Sequence, residues 1–223
     1  MIRLDIISKA EAARYMGVKG VPDEKTAEIL DKYEPIVRER LRPAFVYRET
    51  AVNIAEDGVH FDGVNAVFTG NDIKKHLAGC ERAVLLAATV SAEADKLIRQ
   101  TSVVGMAEAL AVDCLCSSAI EQVCDKAEDE IFCANPVKFR TWRFSAGYGD
   151  LPIALQKDLI IALNAQRRIG LTVTESCLLI PSKSVTAIVG ISDNPIEHGK
   201  KGCDVCSMRE TCGFRLNGGC GKN

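Results

Sequence analysis

The sequence predicts an α+β fold: a twisted, largely antiparallel sheet with helices packed against it. Three observations carry this. Segments with helical spacing and segments rich in Val, Ile and Phe are mixed without the regular βαβ alternation of a parallel sheet. A hairpin signal, Glu56-Asp57-Gly58, interrupts an alternating stretch. The 223 residues are 47% hydrophobic and 26% charged, which suits one sizeable core with a small appendage.

The elements follow in order. Ser8 and Glu11 have capping-box spacing, and Gly17 stops the short helix they begin. A second helix is expected over about 24–41, closed by Pro43 and kinked or split at Pro35. "AFVYRETAVNIAEDGVHFDGVNAVFTG" predicts two or three antiparallel strands between Ala44 and Phe68. Asn71 or Asp72 is expected to cap a short helix reaching about Leu77. "RAVLLAATV" (82–90) is continuously apolar and predicts a buried central strand. Ser91 is the expected N-cap of the next helix, with Glu93 in its first turn.

From about 104 to 131 the apolar positions Val112, Cys116, Ile120, Val123, Ala127 and Ile131 predict a long buried helix, with Cys116 and Cys124 as core thiols. A loop containing Pro136 follows, then "RFSAGYGDLP" (143–152), then a helix over about 153–168 ended by Gly170. "LTVTESCLLI" and "SVTAIVGIS" read as two strands separated by the turn Pro181-Ser182-Lys183-Ser184. The apolar pattern stops after Pro195. The expected organisation is one domain over 1–195 and a cysteine-rich tail over 196–223.

Several function classes are disfavoured. A net charge of −2 offers no global field for nucleic acid or an anionic membrane. No apolar run reaches the roughly 18–20 residues of a membrane span. "MIRLDIISKAEAARYMG" lacks the apolar region of a signal peptide, so the expected address is the cytoplasm. Neither a dinucleotide fingerprint nor a Walker A loop is present. His60 and His76 read as structural or solvated.

In "RFSAGYGDLP", Arg143 offers the paired donors that suit a carboxylate or phosphate. Gly147 and Gly149 allow close backbone approach or positive φ, and Tyr148 offers a flat face with a hydroxyl. Two readings stand on these residues alone: a site for a small zwitterion, or an ordered loop in which Arg143 pairs with an acid. Asp150 could contact a ligand or cap the following helix.

The forty residues beyond add to this. "RFSAGYGDLP", "RRIGLTVTES" and "IPSKSVTAIV" together resemble the activation domain of cobalamin-dependent methionine synthase. Its Arg-x-x-x-Gly-Tyr-x-x-x-Pro signature falls on Arg143, Gly147, Tyr148 and Pro152. Its later motifs fall on Ile169-Gly170, Thr174-Glu175-Ser176, Pro181 and Ser184-Val185. The resemblance implies an S-adenosylmethionine site. Arg143 would hold the methionyl carboxylate, the Phe144–Ala146 backbone would contact the ligand, and Gly147 and Tyr148 would line the pocket. Glu175, in a matched motif, would join them or pair with an arginine. The chain departs from the pattern at Gly149-Asp150-Leu151, where the family has Pro-Ala-Cys, and at the aliphatic Ile188-Val189, where it has aromatics. The family's helix glutamate falls on Ser117, one turn before Glu121, and its ammonium-binding acid has no match.

The resemblance further implies a role. The chain would be a standalone reactivation factor, an accessory subunit supporting reductive methylation of Co(II) cobalamin carried by a methionine synthase or another corrinoid protein. That places it in methionine biosynthesis, with an electron donor as a further partner. Other readings are a non-catalytic adapter or assembly protein with a structural zinc, and an iron–sulfur electron carrier with a vestigial pocket.

The tail carries a separate signal. Four of the ten cysteines, Cys203, Cys206, Cys212 and Cys220, are spaced C-x2-C-x5-C-x7-C. Four thiolates this close suit a closed zinc site or a [4Fe–4S] cluster, with His198 as an alternate ligand. The segment has too few apolar residues to fold unaided, so a metal would supply much of its order.

Overall fold

The computed structural model describes residues 2–196. The backbone divides into two compact units. The first comprises Met1–Phe45, Ala88–Ile131 and Gln166–Val185, and the second Val46–Ala87, Phe132–Ala165 and the stretch from Thr186.

The first unit is mainly helical. α1 (Lys9–Tyr15) starts where Ser8 Oγ accepts the Glu11 N–H, but the Glu11 carboxylate pairs with Arg14, so the capping box is only half formed. α2 (Glu24–Arg40) is capped by Asp23 and continues through Pro35 as one helix, not split as the proline suggests. The buried Glu34 accepts the Ile7 N–H at 2.9 Å and pairs with Arg38 at 3.0 Å, so its burial is compensated.

α4 (Glu93–Val104) and α5 (Met106–Ala134) share Gly105, whose N–H closes the first and whose C=O opens the second. The expected Ser91 cap is displaced by one residue. Ala92 occupies the N-cap position, and Ser91, at φ +76°, makes only a long 3.4 Å contact to the Glu93 N–H. α5 carries the predicted apolar stripe, with Val112, Leu115, Cys116, Ala119, Val123, Cys124 and Ala127 fully enclosed. Each enclosed Leu or Val there contributes about 1.5–3 kcal/mol. Lys126 holds the N-terminal segment to α5 through the Arg3 carbonyl and the Asp5 carboxylate.

The second unit holds most of a six-stranded sheet in the order β3-β2-β1-β4-β8-β5. Its strands are β1 (Ala44–Ile54), β2 (Val59–Phe61), β3 (Val67–Phe68), β4 (Arg82–Thr89), β5 (Phe139–Arg140) and β8 (Ser184–Ser192). The predicted hairpin closes with Ala55 N–H donating to Gly58 O at 2.8 Å, and three strands form where two or three are expected. β4 and β8 are buried on both faces, which is why they read as continuous apolar runs. The sheet is largely antiparallel.

Three expectations fail in the C-terminal half. β5 has no counterpart in the sequence reading. The helix expected over 153–168 is a 3-10 turn (Ile153–Leu155), α6 (Gln156–Ala162) and α7 (Ala165–Ile169). Asn164, at φ +49°, breaks it, a conformation asparagine tolerates. "LTVTESCLLI" is not one strand but a small separate hairpin, β6 (Thr172–Val173) and β7 (Leu179–Ile180), because Thr174 binds back to Leu178 and closes a turn. α3 (Asn71–His76) completes the set.

Candidate functional site

The stretch from Phe139 to Asp150 lies in the second unit. β5 pairs with β8 at Phe139↔Ser192 and Arg140↔Ile191, and Thr141 N–H continues the ladder to Gly190 O at 2.9 Å. The next pair is Phe144↔Ile188, joined by two bonds of 3.0 and 2.8 Å. Trp142 and Arg143 therefore face the single residue Val189, which makes a β-bulge in the edge strand. Bulges re-aim side chains and often lie beside binding sites. Arg143, half-buried, is the second bulge residue.

Beyond the bulge the chain is tethered at Ser145, whose Oγ donates to Thr186 O at 2.7 Å. Tyr148 N–H then closes a turn on Ser145 O at 3.0 Å. Gly147, third in that turn, has φ +90°, as a type II turn demands. A second turn closes from Leu151 N–H to Tyr148 O, and Gly147 N–H reaches Leu151 O at 2.9 Å. Tyr148 stands 52% exposed, its ring edge-on to Phe144 at 5.9 Å.

The backbone of this loop is unevenly engaged. The Phe144 N–H and C=O are both bonded to Ile188. Ala146 differs: it is only 5% exposed, yet its N–H and C=O have no partner among the described residues. Buried backbone polar groups are almost always paired, which sets this residue apart from Phe144.

Asp150 does not cap the helix after it. Its carboxylate accepts the Asn71 and Asp72 N–H groups at 2.7 and 3.0 Å, and the Asp72 carboxylate accepts the Asp150 N–H at 3.3 Å. It thus caps α3 from 78 positions away in sequence, in place of the expected Asn71 or Asp72. These backbone donors, the Asp72 N–H first, hold its carboxyl below the usual carboxylate range. Gly149, at φ +54°, leaves room for the Asp72 carboxylate where a Cβ would stand. The departure at Gly149-Asp150 from the Pro-Ala-Cys pattern thus has a local reason: the loop is locked to α3.

Arg143, Phe144, Ala146, Gly147 and Tyr148 are brought together here by chain continuity. Glu175 belongs to the first unit, at the exposed tip of the β6–β7 hairpin, and its carboxylate pairs with no arginine among the described residues. A cluster missed by sequence reading also lies in the first unit. Lys183, 17% exposed at its side chain, pairs with Asp113 and donates to Ser117 Oγ, both at 2.9 Å. Asp113 and Ser117 stand one helical turn apart on α5, the only signal the sequence offered. Cys116 is fully enclosed, and burial pushes its thiol up to about 12, as a core thiol requires. Cys203, Cys206, Cys212 and Cys220 lie outside the described residues, and no cluster able to hold a metal occurs among the described ones.

Comparison with solved structures finds the crystal structure of the MetH reactivation domain bound to AdoHcy. It matches with a TM-score of 0.58 and 14% identity, over 88% of this chain and 70% of that one. At that identity the likeness establishes the fold. No protein-family model and no curated protein matches the sequence.

Proposed function

We propose that this chain binds S-adenosylmethionine at the Arg143 bulge and the Gly147-Tyr148 turn, and that it serves as a reactivation factor for a corrinoid methyltransferase. The observation that carries the reading is Ala146. A buried residue with an unengaged N–H and C=O follows a bulge-borne arginine, at the positions where the sequence resembles a family that binds this ligand. A neighbouring fold that holds AdoHcy, the demethylated form of the ligand, supports it.

The chain's own groups divide the work. Arg143 holds the carboxylate, Ala146 hydrogen-bonds the ligand through its main chain, and Tyr148 gives the sulfonium an aromatic face. Phe144 contributes its ring, since its backbone is engaged by Ile188. The reaction asks for positioning more than for acid–base chemistry, because the reduced cobalt of the partner is itself the nucleophile. The sequence divides functionally into this domain over 1–195 and the tail. The four tail thiolates hold zinc or a [4Fe–4S] cluster, the latter able to relay the one electron that Co(II) needs.

The test combines an inactive Co(II) corrinoid methyltransferase, a reductant and methyl-labelled S-adenosylmethionine, with and without this chain. Label reaching the corrinoid only when the chain is present, and not with Arg143→Ala, is the expected result. Equal labelling without the chain would overturn the proposal.

A further inference from the structure

His76, the last residue of α3, is 8% exposed. Its Nε2 lies 2.8 Å from Thr141 Oγ1, and the same oxygen accepts the Gly190 N–H at 2.8 Å. Thr141 N–H in turn donates to Gly190 O. The threonine is therefore bonded to its cross-strand partner through both main chain and hydroxyl, and the same hydroxyl meets the imidazole and donates to Trp142 O at 3.3 Å. The ring also packs edge-on against Trp142, with centroids 4.7 Å apart, and tilted against Phe144 at 4.9 Å. Trp142 and Phe144 are themselves 5.4 Å apart. The residue between them is Arg143.

A bulge has no fixed address in a strand. If the extra residue moved past Thr141, the register would slip by one and every following side chain would change face until pairing resumed. Trp142 would then oppose Gly190, and Arg143 would oppose Val189. The Thr141 hydroxyl can meet both the imidazole and the Gly190 N–H only while Thr141 stands opposite Gly190. Together with the Phe144↔Ile188 bridge, that condition places the extra residue at Trp142–Arg143.

We infer that His76 is a positioning residue for the ligand site: it pins Thr141 opposite Gly190 and thereby fixes the bulge that presents Arg143. What Arg143 binds rests on the reading above; the pin does not.

The experiment uses the full chain with His76→Leu, which keeps apolar volume and removes the ring nitrogens, and His76→Gln, whose amide tip stands in for Nε2. Thermal unfolding confirms that both variants fold. Amide hydrogen exchange at Gly190 reads the pin without any ligand. Exchange is expected to accelerate in the Leu variant and stay near wild type in the Gln variant. S-adenosylmethionine titration, followed by emission of Trp142, the chain's single tryptophan, reads its consequence. The Leu variant is expected to raise Kd by about tenfold or more and the Gln variant by less than about threefold, a contrast typical of one lost hydrogen bond. Wild-type Gly190 protection in the Leu variant would overturn the inference, as would equal losses in the two variants. If the wild type binds no S-adenosylmethionine, the ligand reading fails instead, and the Gly190 exchange still decides the pin.

Discussion

Replacing Asp150 with alanine removes the acceptors of two backbone N–H groups at the start of α3, now met at 2.7 and 3.0 Å. It leaves the Asp72 carboxylate with the backbone N–H at position 150, at 3.3 Å, and with Lys75, at 4.0 Å. Loss of an N-cap costs about 0.5–2 kcal/mol, and the exposure of this carboxylate argues for the middle of that range, about 1 kcal/mol. For a chain of this size that is a fall in Tm of about 2–4 °C, or roughly 0.5 M in the urea midpoint.

The same interaction fixes a pH dependence. Asp150 titrates lower in the folded chain than its ordinary value of 3.8. Its contribution is therefore complete above that value and is lost as pH falls through the lowered folded one. Urea unfolding of wild type and Asp150→Ala across pH 7 to 2.5 is the assay. The gap should be full at neutral pH and close in acid, and Asp150→Asn, which keeps one acceptor, should recover about half of it. Equal stabilities at pH 7 would refute the reasoning, as would a gap that persists unchanged in acid.

Other outcomes follow from the same geometry. Gly149→Ala should destabilise by about 1–2 kcal/mol, because it strains φ +54° and drives a Cβ into the Asp72 carboxylate; urea unfolding measures it. Iodoacetamide at pH 8 should modify the exposed Cys133 of the native protein and spare Cys80, Cys114 and Cys116, whose thiols burial holds at about 11, 11 and 12; peptide mapping reads the difference. Anaerobically purified protein should carry zinc or iron in proportion to chain, and Cys206→Ser should reduce it; elemental analysis decides, and a metal-free wild type would refute the tail assignment.

What could be read in the sequence follows from which forces act locally. β4 and α5 announce themselves because burial on both faces, or along one helical stripe, writes a continuous pattern into "RAVLLAATV" and the spacing from Val112 to Ile131. β5 does not, since two residues carry no periodicity and their partner lies some fifty positions later in β8. The sequence points to Asn71 or Asp72 as the cap of α3 because a local Asn or Asp is the ordinary solution, whereas the fold brings Asp150 to it. At the site, Arg143 and its glycines were legible as a motif. The bulge was not, because it exists only in register with β8. His76 reads only as structural or solvated, because its burial and its bond to Thr141 are products of tertiary packing.

The measurement that bears most directly on the central claim is calorimetric titration of the wild type and of Arg143→Ala with S-adenosylmethionine. The account predicts saturable binding by the wild type, weakened about 10- to 100-fold in the variant by loss of a charge-assisted pair. Wild-type binding that survives the substitution unchanged, or no binding by the wild type with or without a corrinoid partner, would contradict it.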